Sequence, residues 1–206
     1  LANSGVGLAK TYKRWAMLDD MYTDYLSAGK GVVFTCYDDV PSERMKLFSL
    51  AMFYMINHQM AFYYYRTQGH SGCDVSTWQW NPWVEYDVGQ PIVNTLGLQD
   101  FEGQAGTNRF FVFATDPVNS PPHYEVLGRQ YERSDGKKVL VLAKLMADGQ
   151  TQGANPTSIA LGATYKKVQS DFTLGPAISS VTLANNEGVI LIRQTGGGCR
   201  DCDPDG

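Results

Sequence analysis

Two short runs, Val32-Val33-Phe34-Thr35-Cys36-Tyr37 and Phe62-Tyr63-Tyr64-Tyr65, decide how this chain is read. Each is β-branched or aromatic, and neither alternates apolar with polar. A strand without alternation is expected to be covered on both faces, as in a parallel sheet flanked by helices. Between the runs, Asp38-Asp39-Val40-Pro41-Ser42 reads as a loop ending in an N-cap serine. Residues 43–57 then read as a helix apolar almost all round, through Leu47, Phe48, Leu50, Met52, Phe53, Met55 and Ile56. A helix of that kind is buried on several sides. Strand, helix and strand over 32–66 therefore predict a parallel pair joined by a buried crossover, the unit of an α/β layer or barrel.

Upstream, Leu8, Tyr12, Trp15, Leu18, Tyr22, Tyr25 and Leu26 recur at intervals of three and four, an apolar stripe along a helix over 8–26. Ala28-Gly29-Lys30-Gly31 ends it. Downstream, residues 68–91 change texture and hold Trp78, Trp80 and Trp83. An irregular stretch of this length is usually functional or disordered, and its aromatic content argues for the former.

From about residue 108 the signals are short strands and turns, near 110–113, 124–132, 138–145, 158–161, 165–168, 178–183 and 189–192. Ser134-Asp135-Gly136 and Asn185-Asn186-Glu187-Gly188 each sit between apolar runs and predict β-hairpins. Several closely spaced strands predict an antiparallel β-sandwich. The expected organisation is an α/β part over 1–91, an all-β domain over 108–195 and a flexible tail over 196–206. Gly196-Gly197-Gly198 running into Cys199-Arg200-Asp201-Cys202 reads as a flexible tail or an interrupted continuation, and a helix apolar all round needs more protein around it than two strands supply, so the chain reads as the tail of a larger protein.

Composition narrows the function. Hydrophobic residues make up 43% and charged residues 18%, which places the chain among globular proteins. A formal net charge of -4 argues against nucleic acid as partner, since phosphate contacts need clustered Lys and Arg. No apolar run is long enough for a bilayer, so no membrane partner is expected. Cys199 and Cys202 have C-x-x-C spacing without a second ligand pair, and His58, His70 and His123 are scattered. A local disulfide or plain tail is the better reading than a metal site. No P-loop, G-x-G-x-x-G or Ser–His–Asp order occurs, and no cofactor is expected.

Several spaced residues carry a resemblance. Arg129-Gln130-Tyr131, the Asp135-Gly136 turn and the run from Val139 to Leu142 precede Thr157, Leu161, Tyr165 and Val168. Ile178, Val181, Leu183, Gly188 and Ile190-Leu191 follow. That order resembles the terminal β domain of glycoside-hydrolase-like (β/α) barrel proteins, and the front resembles the last two barrel strands. The resemblance implies a (β/α)8 barrel end followed by an antiparallel β-sandwich, a carbohydrate partner, and an extracellular or secreted location. It also implies a remainder of the barrel, or other copies of the chain, packed against this part. Glycoside hydrolysis uses two carboxylates flanking the bond, about 5 Å apart for retention. In such barrels the acid or base usually lies on a middle strand, so the main carboxylates are expected outside this chain.

The candidate residues follow from this address. Asp38 follows the first strand directly, at the end of a barrel strand where active sites lie, and is the candidate catalytic carboxylate. Asp39 beside it is a candidate sugar contact, although either aspartate could simply cap the turn into the helix. Arg66 ends the second strand and has the address of a substrate contact. Trp78, Trp80 and Trp83 could stack on pyranose faces. They could equally plug the loop against both domains, Trp83 beside Pro82 above all. A non-catalytic carbohydrate-binding or assembly protein is the alternative, for which the aromatic loop and β domain suffice.

Overall fold

A computed structural model of the chain describes residues 21–26, 28–38, 42–57, 59–67, 80–92, 111–116, 123–146 and 151–194. Of the expected helix over 8–26, the described part is a π-helical turn, Met21–Leu26, whose Leu26 enters the core. Strand β1 spans Val32–Asp38 and β2 spans Ala61–Thr67. They pair in parallel, Val32 opposite Ala61 through Asp38 opposite Thr67, and helix α1, Glu43–Ile56, connects them. The crossover expected from the two apolar runs is therefore present.

Ser42 caps α1, its side chain accepting from Met45 N at 3.2 Å. The helix is apolar all round because it is packed between two sheets. On one side Phe53 meets Phe34 and Tyr63, with ring centroids 6.1 and 5.5 Å apart. On the other, its buried side chains share one core with Leu127, Tyr131, Val141, Ile190 and Ile192 of the antiparallel sheet. Gly188 makes this approach possible. A Cβ there would lie 2.8 Å from Leu47 O and 2.9 Å from Phe48 Cα.

Among the described residues the second sheet has seven strands. These are β3 (Gln90–Pro91), β4 (Phe111–Asp116), β5 (His123–Glu132), β6 (Lys138–Lys144), β7 (Thr157–Val168), β8 (Leu174–Leu183) and β9 (Glu187–Arg193). Their order is β3-β5-β6-β9-β7-β8, with β4 also on β5, and every pairing is antiparallel. Strands β6 and β9 are buried along nearly their whole length because both faces are covered. α1 covers one. Ile159, Leu161, Val181 and Leu183 cover the other, forming a second core with Leu140, Leu142, Val189 and Leu191.

This second layer comes from a bend rather than from a separate strand. The runs expected at 158–161 and 165–168 are one strand, β7, which pairs with β9 only at residues 165–167. Its register against β8 slips between Ala160 and Tyr165, around Gly162 at φ +67. A bulge of this kind turns a strand out of its sheet. The result is a mixed α/β front and an all-β continuation folded into two layers.

Two expectations are corrected. The Asp135-Gly136 turn does join paired strands, β5 and β6, with Gly136 at φ +78. The turn at 185–188 does not form a hairpin, because β7 lies between β8 and β9 in the sheet. Asn185 N instead donates to Ala154 O at 2.8 Å and Asn186 N to Lys144 O at 3.1 Å, so the turn is a crossover tied to neighbouring segments. The hairpin of that region is at 169–173, where Gln169 N donates to Thr173 O at 2.9 Å. The second correction concerns β1 and β2. Val33 and Phe62, opposite one another in register, are 63% and 56% exposed. Among the described residues only the α1 side of the parallel pair is covered.

Candidate functional site

Strand β2 and α1 diverge over an aromatic groove of about 710 Å³. One wall is Leu50, Phe53 and Tyr54 of α1, the floor and edge are Ala61 to Tyr65 of β2, and the rim is Trp80, Asn81 and Val84. Trp80 is 66% exposed. A cavity of this size, predominantly aromatic with a few placed polar groups, has the character of a ligand site.

Asn81 fixes the rim. It caps the short 3-10 turn Pro82–Glu85, accepting from Trp83 N at 3.2 Å. Its Nδ2 donates to Lys46 O and to the Tyr63 hydroxyl, each at 2.9 Å. Ser49 Oγ donates its single proton to Lys46 O at 3.0 Å. In the 2.6 Å contact between Ser49 Oγ and Tyr63 OH, the tyrosine is therefore the donor. Ser49, Tyr63 and Asn81 thus form one part-buried polar chain that ties the rim to the helix and the strand. Burial pushes the Tyr54 hydroxyl up to about 12, with the Asp87 carboxylate adding to the effect, so this wall stays neutral.

The candidate residues are distributed unevenly around this groove. Trp80 stands on its rim. Trp83 is buried at 3% exposure and packs edge-on against Phe172, with centroids 5.7 Å apart. Phe172 also meets Tyr86 at 5.5 Å. Asp38 is the last residue of β1, opposite Thr67 in register. Arg66 sits one position earlier, opposite Tyr37, and is partly buried. Neither Arg66 nor Trp83 lines the groove. Asp39 and Trp78 lie outside the described residues, as do His70 and Cys73.

Sequence reasoning missed Asn81, Ser49 and Tyr63 as a connected unit. The Asn81-Pro82 dipeptide was the available signal, since Asn before Pro marks an N-cap. It also missed a buried ion pair in the β domain. Lys144, its side chain 2% exposed, reaches Glu125 Oε2 at 3.3 Å and Thr157 Oγ1 at 2.8 Å. Thr157 Oγ1 donates in turn to Glu125 at 3.1 Å. This triangle pins the start of β7 to β5 and β6.

Among the described residues no group of His, Cys, Asp or Glu could hold a metal ion. No helix there is long and apolar enough to cross a membrane. No protein-family model matches the chain, and no curated protein or solved structure matches it significantly.

Proposed function

We propose that this chain is the C-terminal part of a glycoside-hydrolase-like (β/α) barrel protein acting on a poly- or oligosaccharide. In this reading it supplies sugar contacts and a bracing β domain, while most of the catalytic carboxylates belong to the remainder of the protein. The observation that carries it is the β1–α1–β2 unit, a parallel pair covered on one face and bare at Val33 and Phe62 on the other. Parallel sheets are normally buried on both faces, so such a unit is a piece of a larger layered structure. Further barrel strands would cover that face and pair its edges. Trp80 beside a neutral aromatic groove supports carbohydrate as the ligand, since indole faces match the C–H faces of sugar rings. An extracellular location goes with a polymeric substrate.

Asp38 has the address of a barrel carboxylate, at the C-terminal end of β1. Hydrolysis needs a second carboxylate across the glycosidic bond, and that one is assigned to the preceding strands. The test is reducing-sugar release by the protein that carries those strands, beside its Asp38→Asn variant. Turnover that falls in the variant without loss of thermal stability supports the reading. Unchanged turnover in a less stable variant makes Asp38 a structural cap.

A second reading, a non-catalytic carbohydrate-binding or assembly protein, is favoured by one observation. No carboxylate is among the described residues lining the groove. Sugar binding without turnover by the full-length protein would select it.

A further inference from the structure

From the groove between α1 and β2 we infer that its ligand is an uncharged oligosaccharide, held by stacking on Trp80. This rests on the carbohydrate reading above and narrows it. The described residues lining the groove include no Asp, Glu, Lys, Arg or His. Uronic or sulfated sugars need a cation to compensate their charge when water is removed, and the described lining offers none. Tyr54 does not supply charge either, being neutral at physiological pH.

The polar chain at the rim is already committed. Ser49 donates to Lys46 O, Tyr63 donates to Ser49, and Asn81 Nδ2 donates to both Lys46 O and Tyr63. Asn81 Oδ1 is occupied by Trp83 N. These groups have no proton left to give a sugar hydroxyl without breaking bonds that hold the rim in place. The exposed face of Trp80 remains available at no such cost. Stacking reads the C–H face of a pyranose and tolerates changes in its hydroxyls, so recognition is broad, and its strength does not depend on salt.

The experiment is a titration of the full-length protein that carries the preceding strands, followed by tryptophan fluorescence and calorimetry. The probes are neutral β-linked hexaoses (gluco-, xylo- and manno-) and hexagalacturonate, at low and high salt. Expected is binding of at least one neutral hexaose, unchanged by salt, with hexagalacturonate weaker by about tenfold or more. Trp80→Ala, at an exposed position and checked for folding by circular dichroism, should weaken the neutral hexaose by about tenfold. Equal or tighter binding of hexagalacturonate, or strong salt dependence, overturns the inference and leaves the carbohydrate reading standing. Binding of no sugar at all overturns both. Self-association that Trp80→Ala abolishes, with no response to sugar, overturns both as well and makes the groove a seat for another copy.

Discussion

The Arg129 guanidinium, projecting from β5, donates to the Met55 carbonyl at 2.7 Å and so closes the last turn of α1 from the neighbouring sheet. Tyr131, two residues along the same strand, donates to Tyr54 O, and Arg129 reaches that oxygen too, at 3.4 Å. The last carbonyls of a helix have no partner within it and carry the negative end of its dipole. Here a buried cation and a buried phenol meet them, where basic residues are absent from the helix's own last turn.

Arg129→Met keeps much of the volume and removes the charge-assisted bond. It should lower unfolding free energy by about 2–3 kcal/mol, since a buried carbonyl loses a charged donor. Arg193→Ala, at a less buried site, should stay within about 0.5 kcal/mol. Denaturant titration of both variants tests this, and equal effects would deny Arg129 its capping role.

Two tyrosines at this junction set the alkaline limit. Burial pushes Tyr54 up to about 12 and raises Tyr131 further, against an unfolded value near 10. A phenol whose folded pKa is raised contributes stability that is whole below the unfolded pKa and is lost as pH rises through the folded one. Melting temperature should therefore hold to about pH 10 and fall steeply between about pH 10 and 12. Tyrosinate absorbance should appear together with unfolding rather than before it for these two groups.

Gly188 and Gly136 should respond differently to alanine. At Gly188 a Cβ meets the helix backbone at 2.8–2.9 Å and Ala51 Cβ at 3.0 Å, so α1 must shift from the sheet. Overpacking of this kind costs about 1–3 kcal/mol. At Gly136 nothing lies within 4 Å, and the cost is only that of a side chain at φ +78, about 1 kcal/mol. Calorimetry separates the two if Gly188→Ala is the larger loss.

The Lys144 triangle should be asymmetric. Glu125 keeps 28% of its side chain exposed, so Lys144→Met leaves a carboxylate that water can reach. Glu125→Gln strands an ammonium with 2% exposure and should cost about 3 kcal/mol, clearly more than the first variant. The reverse ranking in chemical denaturation would mean that the pair is solvated.

Residues 32–66 were legible because period and propensity agreed there. Two runs without alternation, an N-cap at Ser42 and an apolar helix describe a crossover without further information. The count of covered faces was not legible, since Val33 and Phe62 carry the same apolarity whether or not a layer lies over them. Strand order failed at 185–188 for a similar reason. The turn residues there suit a hairpin, but β9 gains more by burial between β6 and β7 than it could beside β8. Gly162 was the sign of the bend in β7, and without knowledge of β9 it reads as a break between two strands. At the candidate site, Trp80 was legible from composition. Asn81, Ser49 and Tyr63 were not, because their bonds join positions 14 to 18 residues apart.

The placement of β9 between β6 and β7 bears on how the domain comes into being during synthesis. Among the described strands, the last to leave the ribosome is not an edge to be added at leisure but lies in the middle of the sheet. Until it emerges, β6 has no neighbour on that side, the β7–β8 hairpin has nothing to bend over, and α1 lacks the surface that Gly188 and Ile190 provide. The nascent chain must hold these apolar faces open while residues 32–186 are made, a state prone to aggregation and dependent on late, long-range pairing. Both cores include residues of β9, so neither is complete until residues 187–193 are in place.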